Sequence, residues 1–158
     1  MARILFLINE MYPYGKGEPF LETEVKYFNK FDKVVIVPGF CGEQKISRSI
    51  SSDNIEVLRL ENSFSKNKIH GRLLNALKVV LLDREFMKEL KYIFKSKKLN
   101  YKTVMHLISF LSKGNHIYIN VKHWIDTNTN EDDEIIFYSY WMYYQAYAAI
   151  CLSNSIPS

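Results

Sequence analysis

Residues 2–39 read ARILFLINEMYPYGKGEPFLETEVKYFNKFDKVVIVPG. The stretch opens on a continuous apolar run, Ile4-Leu5-Phe6-Leu7-Ile8. A short run without alternation predicts a strand buried on both faces. Turn formers follow in Tyr12-Pro13-Tyr14-Gly15-Lys16-Gly17-Glu18-Pro19. Pro19 suits the first turn of a helix, where its missing N–H costs nothing. From there Phe20, Leu21, Val25, Phe28 and Phe31 fall at helical spacing, with Glu22, Glu24, Lys26 and Lys30 between them. Acids lie near the start of this helix and Lys30 and Lys33 near its end, which complements the helix dipole. Val34-Val35-Ile36-Val37, stopped by Pro38-Gly39, is a second β-branched run. Strand, helix and strand in so short a span predict a βαβ unit with parallel strands and a right-handed crossover.

Outward from this unit the pattern continues. Residues 40–54 are polar and irregular, and residues 55–60 (IEVLRL) alternate as a third strand. Residues 66–98 keep a 3.6 period in two pieces that meet near Asp83-Arg84, and residues 103–111 continue it. Residues 113–130 fit two readings: Ile117, Ile119 and Val121 alternate, whereas Trp124 and Ile125 suit a helix. Residues 131–134 form an acidic loop, residues 135–140 (IIFYSY) a fourth strand and residues 141–152 an Ala-rich helix. The expected fold class is therefore α/β, a Rossmann-like open parallel sheet flanked by helices. A single lobe over residues 1–158 is expected, with residues 66–112 as a basic helical insert. A further strand after the last helix would complete such a sheet, so the chain reads as one that stops early.

The chain has 158 residues, 47% of them apolar and 24% charged, which suits one globular domain and excludes a disordered one. Its +4 charge is unevenly spread. Residues 66–102 hold eleven Lys or Arg against three acids, a net of +8, so the remainder carries −4. This block reads either as a solvated helix face or as a surface facing an anionic partner, a membrane or nucleic acid. No nucleic-acid recognition motif accompanies it, so nucleic acid is not the expected partner. Cys41 and Cys151 are too few for a disulfide scaffold and read as buried thiols. The apolar start is too short for a signal peptide, and no stretch is long enough to span a bilayer. A cytoplasmic protein is expected, peripheral on the inner face of the membrane if the basic block docks there.

Two constellations could carry chemistry. The loop Tyr14-Gly15-Lys16-Gly17-Glu18 follows a buried strand and precedes a helix, where backbone amides can approach an anion. It fails as a dinucleotide fingerprint, because Phe20 stands in place of the third glycine, and as a P-loop, because no Gly-Lys-Ser/Thr follows. An ordinary turn is the competing reading. The second is Tyr138-Ser139-Tyr140-Trp141-Met142-Tyr143-Tyr144, at the carboxyl end of the fourth strand. Flat rings with polar tips suit sugar faces or lipid interfaces, and core packing is the competing reading. His70, His106, His116 and His123 share no ligand-like grouping with cysteines or carboxylates, so no metal is expected. No G-x-S-x-G elbow occurs.

The opening Ile4 to Asn9 run, the segment Tyr12-Pro13-Tyr14-Gly15-Lys16-Gly17-Glu18-Pro19-Phe20-Leu21-Glu22-Thr23-Glu24 and the closing Ser139-Tyr140-Trp141 with its Ala-rich helix together resemble the amino-terminal half of bacterial family 4 glycosyltransferases, which have the GT-B fold. The resemblance covers both ends of the chain and leaves the middle helices unmatched. It implies the acceptor-binding lobe of a two-lobed enzyme in cell-surface polysaccharide synthesis, transferring a sugar from a nucleotide-sugar to a glycan or lipid-linked acceptor. It places Gly15, Lys16, Gly17 and Glu18 near the donor phosphates. Tyr14, Glu22, Tyr138, Ser139, Tyr140 and Trp141 fall on the acceptor side, and Lys88, Lys91, Lys95 and Lys98 towards the membrane. The nucleotide-sugar is a co-substrate, and no other cofactor is implied. Many relatives end the last strand in His, whereas Tyr140-Trp141 stands here, so no catalytic base is assigned. The family's donor-binding lobe, with its paired-Glu motif, has no counterpart in these residues, so the chain alone is expected to be inactive. The alternative is a non-catalytic α/β module that binds a membrane or protein partner through its basic helices.

Overall fold

The computed structural model describes residues 1–40, 48–50, 52–60, 84–96 and 100–156. Four parallel strands form one sheet among the described residues: β1 (Arg3–Asn9), β2 (Lys33–Pro38), β3 (Ile55–Val57) and β4 (Glu134–Ser139), in the order β3-β2-β1-β4. β1 is central, with Leu5 opposite Val34 on one side and Ile136 on the other. Every residue from Ile4 to Asn9 is buried, as a two-sided strand requires.

Alternation along β1 and β2 sends side chains to two cores. Ile4, Phe6, Ile8, Val35 and Val37 face the helices α3 (Tyr101–Asn128) and α4 (Tyr144–Ser155), meeting Ile117, Val121, Trp124, Ile125, Ala148 and Leu152. Leu5, Leu7, Val34 and Ile36 face Leu21, Val25, Phe28 and Phe31 across the sheet. The α/β parallel sheet with helices on both faces is thus the architecture.

Local differences from the sequence reading have physical causes. The helix after Pro19 is one turn of α-helix, α1 (Leu21–Glu24), that tightens into a 3₁₀ helix at Val25–Lys30. Val25, Phe28 and Phe31 recur every third residue, and three residues per turn stack them on one face. Of the ambiguous residues 113–130, those up to Asn128 belong to α3, which runs unbroken across residue 112. Ile117, Val121, Trp124 and Ile125 line one helical face, while Ile119 is 47% exposed. Asn100 caps this helix, its Oδ1 accepting the Thr103 N–H at 2.9 Å. The last helix starts at Tyr144 rather than residue 141, after a turn at 140–143. Of the basic stretch, the described part is the amphipathic helix α2 (Arg84–Lys95) and the start of α3; residues 66–83 lie outside the described residues. Phe86 of α2 packs on Leu111 of α3.

β1 connects to β2 on one side, while β4 lies on its other side. The carboxyl ends of β1 and β4 therefore flank the point where the strand order reverses, which is where open α/β sheets form their crevice.

Candidate functional site

Two turns meet at that crevice, residues 10–20 after β1 and residues 140–143 after β4. Glu18 joins them. Its residue is 6% exposed and has φ of 55°, a left-handed backbone that non-glycine residues seldom adopt. Oε1 accepts the Glu10 N–H at 2.9 Å and the Trp141 indole N–H at 2.7 Å. Oε2 accepts the Met11 and Tyr12 N–H groups, each at 2.8 Å, and Asn9 Nδ2 at 3.3 Å. Three consecutive amides after β1 thus converge on the chain's own carboxylate. Arg48 holds the backbone beneath, donating to the carbonyls of Gly17 at 2.7 Å and Glu18 at 3.1 Å.

On the α3–α4 side of the crevice, Glu10 is the organising group. Its Oε2 accepts the Tyr144 phenol at 2.6 Å and also the Gln145 amide. Oε1 of Glu10 accepts nothing among the described residues. Burial first, and the Glu10 bond second, push the Tyr144 phenol far above its ordinary pKa, so it stays a donor. The Lys113 ammonium lies 4.9 Å from the Tyr144 ring centroid. Gly39 fits against this ring, since a Cβ there would sit 3.0 Å from Tyr144 Cε2. Gln145 Oε1 and Asn9 Oδ1 are buried without partners among the described residues.

An aromatic rim surrounds these acids. Trp141 is 44% exposed, Tyr143 is exposed in the same turn, and Phe40 and Tyr138 are exposed near the carboxyl ends of β2 and β4. Tyr140 turns inward. It stacks on Phe20 at 4.7 Å and donates its phenol to Glu24 at 3.2 Å. Partial desolvation, then the Glu24 charge, raise its pKa. Ser139 Oγ donates to the Trp141 carbonyl at 2.7 Å, tightening the turn after β4.

The residues singled out in the sequence separate into groups. Glu18, Ser139 and Trp141 are brought together, with Tyr140 beside them. Gly15 takes φ of 64°, and Lys16 is exposed at the tip of its loop. Tyr14 is buried, the Arg59 guanidinium 5.9 Å from its ring centroid. Glu22 faces elsewhere, paired with Arg48 Nε at 2.8 Å beside a cavity of about 640 Å³ lined also by Tyr12, Lys26, Asn29 and Ser52. Tyr12 has its pKa raised by burial and by Glu22, with Arg48 opposing. Lys88, Lys91 and Lys95 are exposed on α2, and Lys98 lies outside the described residues. Cys151 is half-buried; Cys41 and His70 lie outside the described residues.

Sequence reasoning missed Glu10, Gln145 and Arg48. Glu10 carried one usable signal, as the first charged residue past a two-sided strand. Arg48 and Gln145 carried none, because their partners lie far away in the chain. No protein-family model, curated protein or solved structure matches this chain. Among the described residues no helix is long and apolar enough to cross a membrane.

Proposed function

We propose that the chain is the acceptor-binding lobe of a glycosyltransferase, moving a sugar from a nucleotide-sugar to a glycan or lipid-linked acceptor in cell-surface polysaccharide synthesis. The single observation that carries this reading is the juxtaposition at the strand-order reversal. Glu10, with an acceptor oxygen to spare among the described residues, lies beside exposed rings that include Trp141 and Tyr143. Rings cover the apolar face of a sugar, and a carboxylate oxygen accepts from its hydroxyls. A second lobe, closing over the same edge, would hold the nucleotide. Lys16, exposed on the loop tip, would meet its phosphates. The amides of Glu10, Met11 and Tyr12 would not, because Glu18 already occupies them.

The test is protein-observed NMR of this chain with disaccharides ending in glucose, galactose or N-acetylglucosamine. Weak binding should move the Trp141 indole N–H and the Tyr143 ring signals, and Glu10→Gln should weaken it about tenfold or less. Shifts confined to other surfaces, or none at tens of millimolar sugar, overturn the reading.

A second reading, a module docking on an anionic membrane at the cytoplasmic face, has its own observation. Met87, Tyr92 and Phe94 are exposed on α2 among Lys88, Lys91 and Lys95, followed by exposed Tyr101, Lys102 and Met105 at the start of α3. Each cation near such a surface contributes about 1 kcal/mol. Binding to phosphatidylserine vesicles that weakens with salt and is lost in Lys88→Glu/Lys91→Glu/Lys95→Glu supports it. Salt-insensitive binding, or none, removes it.

A further inference from the structure

We propose that the turn after β1 is an oxyanion cradle shaped for a carboxylate, that Glu18 is its resident ligand, and that by filling it Glu18 acts as the positioning residue for Trp141. The donors are three main-chain N–H groups, the Asn9 amide and the Trp141 indole, none of them charged. They divide between the two oxygens of one planar carboxylate, two on Oε1 and three on Oε2. A carboxylate this deeply buried, with no bonded cation among the described residues, is stabilised by such convergence of dipoles.

The backbone is bent to deliver it. Glu18 holds a positive φ and is preceded by Gly15, also at positive φ, and by Gly17. Arg48 pins the carbonyls of Gly17 and Glu18, which fixes the backbone from which the side chain reaches the turn. At the far end of the cradle stands the Trp141 ring. Among the described residues Glu18 is the one polar partner of its indole N–H. Its remaining ring contacts are edge-on, to Phe20 at 6.2 Å and Tyr140 at 5.6 Å. A ring 44% exposed and anchored through one bond takes its orientation from that bond. The carboxylate therefore sets the rim of the crevice from residues 123 positions away in the chain. This role holds whatever the crevice binds.

Chemical rescue tests it. Glu18→Gly relieves the backbone strain and leaves a carboxylate-sized space lined by five N–H donors. Its thermal midpoint should climb with added sodium formate, and not with sodium chloride at equal ionic strength, while the wild-type midpoint should respond alike to both. Glu18→Gln fills the space with an amide and should show no formate-specific gain. The Trp141 signal, isolated as the difference between each variant and the same variant carrying Trp141→Phe, supplies the second readout. In Glu18→Met, a side chain of similar length with no oxygen to accept the indole N–H, the acrylamide quenching of Trp141 should roughly double as the ring leaves its anchor. In Glu18→Gly it should do the same, and formate should reverse it. Unchanged Trp141 quenching in Glu18→Met overturns the positioning role, and this holds even if the glycine variant does not fold. A folded Glu18→Gly indifferent to formate, or a Glu18→Gln equally responsive to it, overturns the cradle.

Discussion

Gly114 sits where α3 crosses α4, and replacing it with alanine sets two known effects against each other. In a helix interior alanine is favoured over glycine by about 1 kcal/mol. At this position the new Cβ would lie 2.4 Å from Cδ1 of Tyr147 and 3.1 Å from the carbonyl oxygen of Tyr144. Neither neighbour yields easily. The Tyr147 ring is packed against Phe110 at 5.9 Å, and the carbonyl belongs to the first turn of α4. Overpacking of this kind costs about 1–3 kcal/mol, and contact with main chain as well as ring puts it in the upper half. The clash wins, leaving Gly114→Ala about 1–2 kcal/mol less stable than the parent. For a chain of this size that lowers the thermal midpoint by about 3–6 °C in a circular dichroism melt. Adding Tyr147→Leu removes the ring and should return more than half of the loss. A midpoint unchanged or raised in Gly114→Ala would refute the reasoning, since propensity alone would then have decided. Because α4 also carries Tyr144 and Gln145, the displaced helix should loosen their hold on Glu10 and weaken sugar binding.

Tyr144→Phe deletes the phenol that donates to Glu10 and should cost about 1.5 kcal/mol in urea denaturation at neutral pH. The same phenol, held neutral in the fold, ionises near pH 10 in the unfolded chain. Wild-type stability should therefore be intact below that pH and fall as pH rises through it, with a flatter alkaline limb in Tyr144→Phe. Glu56 responds in the opposite pH range. Burial raises its pKa, but bonds from Lys33 and Trp124 outweigh this and hold it below the ordinary carboxylate value. Its contribution is present above that ordinary value and lost as pH falls through the lowered one, so the midpoints of wild type and Glu56→Gln should converge in acid. At neutral pH, with both partners partly exposed, the difference should be about 0.5 kcal/mol. Ile117→Asp should prevent folding and Ile119→Asp should not, as read by circular dichroism, because a helix buries the first and exposes the second.

Much of the fold could be read from residue order. The runs at Ile4–Ile8 and Val34–Val37 have no polar side to show to water, which forces a two-sided strand, and the helical segment between them forces the pair to be parallel. The β4 run and the Ala-rich helix were legible for the same local reason. The segment around Ile117, Ile119 and Val121 was not, since alternation and helical spacing coincide over so few residues. The packing of Ile117, Val121, Trp124 and Ile125 on Phe6 and Val37 decides between them. Of the candidate site, the glycine-containing turn and the aromatic stretch were visible by composition, but not what they do to each other. Glu18 reads in sequence as an acid near a helix start and, by resemblance, as part of a phosphate-facing loop; nothing local marks it as the ligand of the turn before it.

Residue order by itself determined that this chain buries parallel strands between helices, because the burial demanded by a strand or helix is written within a few neighbouring residues. The tertiary structure alone decided that β4 lies beside β1, that Glu10 meets Tyr144 and Gln145, and that Glu18 turns back to bind Trp141. Those pairs stand more than a hundred positions apart. Their chemistry exists only once the sheet has closed and brought two strand ends to one edge, and no local pattern encodes which end meets which.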